Sequence, residues 1–168
     1  LRLTMNNLVI KGAGRDKTII KMAEANTQTD PNKMWSTPVM LELKNNGRKM
    51  SDTQLSEVRE KAPKGSFKVT LTSGIGIKKD DWVYLHMKSN NPTLLTQELS
   101  PYTVTNEMTN IKEGVEVYDY HQVKSISGNT VEFVEPLMHE VDPALGTWEF
   151  HTYPHYENIG IEDLTFEG

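Results

Sequence analysis

The residue types with the most chemistry to offer in this chain are its aromatics, histidines and carboxylates. Trp35, Tyr102, Tyr118, Tyr120, Trp148, Tyr153 and Tyr156 exceed what a small strand core needs. An aromatic ring packs its face against C–H surfaces such as those of sugar rings, while its polar tip bonds hydroxyls. Trp35, Tyr102, Tyr118, Tyr120 and Trp148 are therefore the candidate carbohydrate-binding residues, with Trp35 and Tyr102 foremost because they fall in irregular segments. Trp82 lies in a well-patterned strand and reads as core. Burial explains an aromatic residue as readily as sugar contact does.

The histidines His86, His121, His139, His151 and His155 show no metal spacing on one strand face. Pro154 separates His151 from His155 and removes a helical ligand pair. No metal ligand is assigned, and His121 is expected to bond a neighbouring backbone group. Glu116, Asp119, Glu132, Glu135, Glu140 and Asp142 have the oxygens for a Ca2+ site or a carboxylate pair. An acidic surface on a soluble domain accounts for them equally well, so no cofactor is expected and Ca2+ is the one alternative left open. Gly12-Ala13-Gly14-Arg15-Asp16 lacks both the Gly-Lys-Ser/Thr ending of a phosphate loop and the third glycine of a dinucleotide loop. It reads as a tight turn, and the catalytic residues remain unknown.

Composition limits what such residues can serve. Hydrophobic content of 36% and a mean hydropathy of −0.55 suit a β-rich protein with narrow cores better than a helical globule. Apolar runs are too short for a membrane helix. A net charge of −5, from 18 basic and 23 acidic residues, argues against a nucleic-acid partner. With no cysteine there are no disulfides or thiolate metal sites, which is compatible with export. The chain opens at Leu1 without an initiator Met and stops at Gly168 after a strand-like run, and it reads as part of something longer.

The positioning elements read as strands. Leu8-Val9-Ile10 and Thr18-Ile19-Ile20-Lys21-Met22 flank the glycine turn, and Asn158-Ile159-Gly160-Ile161 leads through Glu162-Asp163 into Leu164-Thr165-Phe166. Such end segments stack on copies of themselves, as solenoid coils do. Between them, residues 39–43 suggest a strand ended by Asn45-Asn46-Gly47. Residues 51–62 read as extended, although Ser51 with Gln54 also fits a helical capping box. Residues 66–72 alternate with Phe67, Val69 and Leu71 on one face, and residues 81–87 with Trp82, Tyr84 and His86 on one side. Residues 118–126 and 130–134 form a hairpin around Gly128-Asn129. Trp148, Phe150 and Thr152 are expected to begin the return to the coil. Residues 89–115 form a long loop, with a helical turn or two over residues 94–99.

Several of these segments resemble pectate-lyase-like right-handed parallel β-helix proteins. Residues 7–20 resemble an early coil, from Asn7-Leu8-Val9-Ile10-Lys11-Gly12 to Thr18-Ile19-Ile20. Ala62-Pro63-Lys64-Gly65-Ser66 with Lys79-Asp80-Asp81-Trp82-Val83 resembles an inserted β-domain, and residues 121–131 with Glu135-Pro136-Leu137 its later part. Residues 156–166 resemble the coil of return. Asp80 departs from the pattern, which has a turn glycine there.

The expected architecture is thus all-β, with partial right-handed parallel β-helix coils and an inserted small β-barrel or sandwich. Residues 1–62 form a coil with connecting strands, 63–150 the insert with its loop 89–115, and 151–168 the return to the coil. The resemblance implies a secreted or periplasmic polysaccharide lyase or glycoside hydrolase, with catalytic residues on coils outside this chain. This fragment is expected to be inactive itself, supplying scaffold and glycan contacts. The partners implied are a polysaccharide, neutral or calcium-bridged, and the remaining coils, with no nucleic acid and no membrane. The alternatives are a non-catalytic carbohydrate-binding or adhesin module and a purely structural cap.

Overall fold

The computed structural model describes residues 1–43, 52–74 and 76–168. Four short strands open the chain: β1 (Arg2–Leu3), β2 (Leu8–Lys11), β3 (Ile19–Lys21) and β4 (Glu42–Leu43). They are followed by β5 (Gln54–Glu57), β6 (Lys68–Thr70) and β7 (Trp82–Ser89), then by helices α1 (Pro92–Leu99) and α2 (Thr109–Lys112). Strands β8 (Val115–Ser127), β9 (Thr130–Phe133), β10 (Trp148–Thr152), β11 (Ile159–Glu162) and β12 (Thr165–Glu167) complete an all-β chain. It divides into two compact units, Leu1–Ser51 with His155–Gly168, and Asp52–Pro154. The second unit therefore includes Trp148, Phe150 and Thr152, which the sequence suggested were already returning to the coil.

The first unit consists of parallel strand pairs distant in sequence. β4 pairs with β1, β11 with β2, and β12 with β3. The path β1-β2-β3 is thus retraced, one layer on, by β4-β11-β12, as successive turns of a parallel β-helix require. In register, Ile159 lies over Leu8 and Ile161 over Ile10. A corner repeat absent from a simple reading of the sequence precedes each layer: Asn7 and Asn158 both take positive φ, 56° and 55°, and Asn158 Nδ2 donates to Asn7 Oδ1 at 2.8 Å. Asparagine tolerates this conformation because its short polar side chain bonds locally. Gly12 is needed for close approach, since a Cβ there would lie 2.2 Å from the Asp163 carbonyl oxygen. The candidate turn Asn45-Asn46-Gly47 and the cap at Ser51 lie outside the described residues.

The second unit is one antiparallel sheet in the order β5-β10-β7-β8-β9-β6. Its edges meet beyond β5 and β6, where Val58 bridges Leu71, Arg59 N–H donates to Thr70 O and Thr72 N–H to Glu57 O, both at 2.8 Å. The sheet thus closes into a small barrel, as small inserted β-domains do to remove exposed edges. Its interior holds Val69, Leu71, Val83, Leu85, Met87, Val117, Val123, Val131, Phe133, Trp148 and Phe150. Residues 54–57 are extended, as read, but Phe67 is exposed, because β6 begins only at Lys68. In the long connection, Asn91 caps α1, its Oδ1 accepting from Thr93 N–H at 2.9 Å, and Leu94 joins the core.

Two backbone positions yield tests. Asp80 takes φ 71°, a left-handed conformation that favours glycine. Asp80→Gly should stabilise the barrel by up to about 1 kcal/mol, raising its melting temperature by a few degrees. Gly12→Ala should destabilise the coil unit by about 1–3 kcal/mol. Amide exchange at Leu8–Lys11 and Ile159–Glu162 would then accelerate, while the barrel amides hold.

Candidate functional site

Strict alternation on the central strands sorts side chains between the barrel interior and its outer face. On β8, Val117, Asp119, His121 and Val123 point in, and Glu116, Tyr118 and Tyr120 point out. On β7, Val83, Leu85 and Met87 face in, opposite Trp82, Tyr84 and His86, and on β10 Glu149 and His151 share the outer face. Pairing then brings these outer residues together: His86 lies opposite Tyr118 and Glu149, and Tyr84 opposite Tyr120 and His151.

The result is a continuous aromatic face. The Tyr84 ring stacks on His151 at 4.8 Å and 7°, and His86 stacks on Tyr118 at 4.5 Å. Tyr84 is tilted against Tyr118 and Tyr120 at 5.9 and 5.6 Å, and Tyr153 lies 4.6 Å from Tyr120. Tyr84 is buried beneath these rings, whereas Tyr118 and Tyr120 are 50% and 45% exposed. The inner ring is thus held while two phenols remain available to a ligand.

Carboxylates organise the polar tips. Glu149 Oε2 lies 3.0 Å from both His86 Nδ1 and His151 Nε2. His86 Nε2 lies 3.1 Å from Glu116 Oε1, which also accepts from the Tyr118 hydroxyl. Burial opposes charge on His86, but Glu149 and Glu116 outweigh it and raise its pKa. The His86 and His151 contacts hold the Glu149 carboxyl below its ordinary range. Burial and the hydrogen bond to Asp52 push the Tyr84 phenol up. The face therefore offers neutral phenol donors beside ionised acceptors at neutral pH.

Of the five residues singled out in the sequence, only Tyr118 and Tyr120 meet on this face. Trp148 points inward, 2% exposed, and is corrected to a core residue because its position on β10 has the parity of Phe150. Trp35 stands 81% exposed on the 3₁₀ turn Met34–Ser36 of the coil unit. Tyr102 is 76% exposed and lines a separate groove of about 240 Å³ with Pro92, Leu95, Thr96, Thr103 and Val104. Trp82 is only partly buried, on the outer side of β7. Sequence reasoning missed His86, Glu149 and His151 as a group. The signal lay in two alternating pairs, Tyr84 with His86 and Glu149 with His151, whose strands become neighbours only on folding. Glu140 and Asp142 share Lys61, Glu132 pairs with Lys124, and Glu135 accepts from Gln122 N–H.

His121 does not make the backbone bond expected of it. Its ring stacks on Phe133 at 4.4 Å inside the barrel, and neither nitrogen has a hydrogen-bond partner among the described residues. Nε2 lies 3.3 Å from Asp119 Oδ1, and Asp119 Oδ2 accepts from Met138 N–H at 3.0 Å.

No protein-family model matches this sequence, and no curated protein matches it. Solved structures do. The tailspike gp61 of Pseudomonas phage phi297 superposes with a TM-score of 0.58 at 12% identity, over 96% of this chain and 22% of that protein. The tailspike protein gp49 of Pseudomonas phage LKA1 gives 0.51 at 17% identity, over 94% of this chain and 22% of that one. The fold is shared with phage tailspikes. The chain spans about a fifth of either protein's length. The Gp54 tailspike of Acinetobacter baumannii bacteriophage AP22, solved with A. baumannii capsular saccharide, overlaps more loosely, at 0.46 and 18% identity over 69% of this chain and 19% of its own.

Burial pushes the Asp119 carboxyl up, but His121 and the Met138 N–H outweigh it and leave its pKa below the ordinary value. A carboxyl whose pKa is lowered by folding stabilises the fold above its unfolded pKa, about 3.9, and that contribution is lost as pH falls through the lower folded value. Urea unfolding from pH 7 to 3 should show stability falling below about pH 4, with a shallower fall in Asp119→Asn.

Proposed function

We propose that this chain is the glycan-contacting part of a carbohydrate-active, tailspike-like β-helix protein that works outside the cell. The observation that carries this is the half-exposed pair Tyr118 and Tyr120 on the outer face of the barrel, backed by Tyr84 and Tyr153. Adjacent phenol rings offer flat surface for sugar C–H faces, and Glu116, Glu149 and the histidines beside them offer acceptors and donors for hydroxyls. The parallel coil pairs and the likeness of fold to two phage tailspikes support placing such a face on a polysaccharide-directed scaffold. Fold alone licenses only a starting expectation, and the tyrosine face is what makes it specific.

On this reading the coil unit is scaffold. Val9, Ile19, Ile161 and Phe166 are all more than 40% exposed. The finer reading, a pectate-lyase-like parent that is a lyase or glycoside hydrolase, places the bond-breaking residues on coils outside this chain. The barrel would then bind polymer without cleaving it. A non-catalytic binding module is favoured instead if glycan binds here and the parent protein leaves polymer chain length unchanged.

The test is a glycan-array screen of the chain, followed by titration of any bound oligosaccharide against Tyr118→Ala and Tyr120→Ala. Each ring should contribute about 0.5–1.5 kcal/mol, a loss of roughly 2- to 10-fold in affinity per variant. Both positions are half-exposed, so the melting temperature should stay close to that of the unaltered chain. Binding that is undiminished in both variants, or no glycan bound at all, would overturn the role of the tyrosine face.

A further inference from the structure

The geometry points to His86, Glu149 and His151 as a binding site for a first-row divalent cation of the Zn2+ class. The inference does not rest on glycan binding. His86 Nδ1 and His151 Nε2 both converge on Glu149 Oε2 at 3.0 Å, and the three candidate ligand atoms lie within 4.8 Å of one another. Tetrahedral zinc, with bonds of about 2.0–2.1 Å to these atom types, sets its ligands roughly 3.4 Å apart. A small adjustment of the three side chains towards that common spacing would thus admit the ion.

The scaffold is suited to holding that arrangement. Glu149 and His86 are direct cross-strand partners on β10 and β7, and His151 is two residues along the same face. Tyr118 stacks on the His86 ring and Tyr84 on the His151 ring, which restricts how either imidazole can turn. The ligands therefore come from a hydrogen-bonded strand pair, which positions a site more rigidly than a loop.

A second observation is independent of the convergence. Each imidazole presents its other nitrogen to a different carboxylate. His86 Nε2 lies 3.1 Å from Glu116 Oε1, and His151 Nδ1 lies 3.7 Å from Asp52 Oδ2. Asp52 is in turn held by the Tyr84 hydroxyl. His151 Nδ1 is buried and has no hydrogen bond at that distance. A metal-bound histidine usually gives its second N–H to a carboxylate, which fixes the tautomer and makes the ligating nitrogen more basic. Here that contact is in place behind His86, and behind His151 the Asp52 carboxylate stands 3.7 Å from Nδ1.

The donor set selects the ion. Two imidazoles and one carboxylate suit zinc in a site with three protein ligands and a fourth position open to water. Calcium and magnesium seek oxygen donors, which one carboxylate does not supply in sufficient number.

The experiment uses the 168-residue chain, stripped with EDTA and titrated with ZnCl2 by calorimetry, with the histidine side chains followed by 1H–15N NMR. One saturable site is expected, with the His86 and His151 imidazole signals shifting together and CaCl2 leaving them in place. Glu149→Gln and His151→Ala should each weaken ZnCl2 binding about tenfold or more, and Glu116→Gln, which keeps all three ligands, by about tenfold. Should His151→Ala not fold, Glu149→Gln and the signals of the unaltered chain decide the matter. Unmoved His86 and His151 signals, an equal response to CaCl2, or an affinity unchanged in Glu149→Gln would overturn the site.

Discussion

Closure of the antiparallel sheet governs the arrangement of the inserted unit. Once the Val58–Leu71 bridge joins the two edges, the interior is too narrow for anything but the barrel's own side chains. Alternate positions of the strands must then be apolar and well packed, as Val83, Leu85, Met87, Val123, Val131 and Phe133 are. The remaining positions are forced outward. Because neighbouring strands lie close enough for directly opposed side chains to touch, the outward residues of β7, β8 and β10 become one surface. The tyrosine and histidine face is thus the complement of the core pattern, produced by the same alternation.

The chemistry of that face comes from shared carboxylates. Glu149 serves two imidazoles through one oxygen, Glu116 serves His86 and Tyr118, and Asp52 receives the Tyr84 hydroxyl. Each acid keeps a ring in place, so the rings form an ordered surface rather than a set of free rotors. Inside the barrel, Asp119 and His121 occupy two successive inward positions of β8, flanked by Val117 and Val123. Asp119 is compensated by the Met138 N–H and the nearby His121 ring, while the His121 nitrogens have no hydrogen bond among the described residues. The coil unit uses a different device, close backbone stacking at Gly12 and paired asparagines at Asn7 and Asn158.

Much of this was legible before folding, because it depends on local pattern. The alternation of residues 81–87 and 118–126, the Gly128 turn with φ 58° and the extended ends of the chain follow from period and turn chemistry. Asp80 shows the limit of residue type as a signal: the turn keeps the glycine conformation with a different residue in it. The aromatics were harder to sort. Trp148 and Tyr118 look alike in composition, and only strand parity within the closed barrel buries one and exposes the other.

By itself the sequence determined that the chain is built of short strands, that Trp82, Tyr84 and His86 share a side, and that the strand segments at its two ends are of a kind suited to stack. These are properties of residues a few positions apart, set by the two-residue period of a strand and the backbone demands of turns. The tertiary structure alone decided that β10 lies beside β7 and β7 beside β8. Glu149 and His151 are thereby carried to His86 across more than sixty positions of sequence. No local period encodes such a neighbour, because strand order depends on which pairing buries the most apolar surface and closes the sheet.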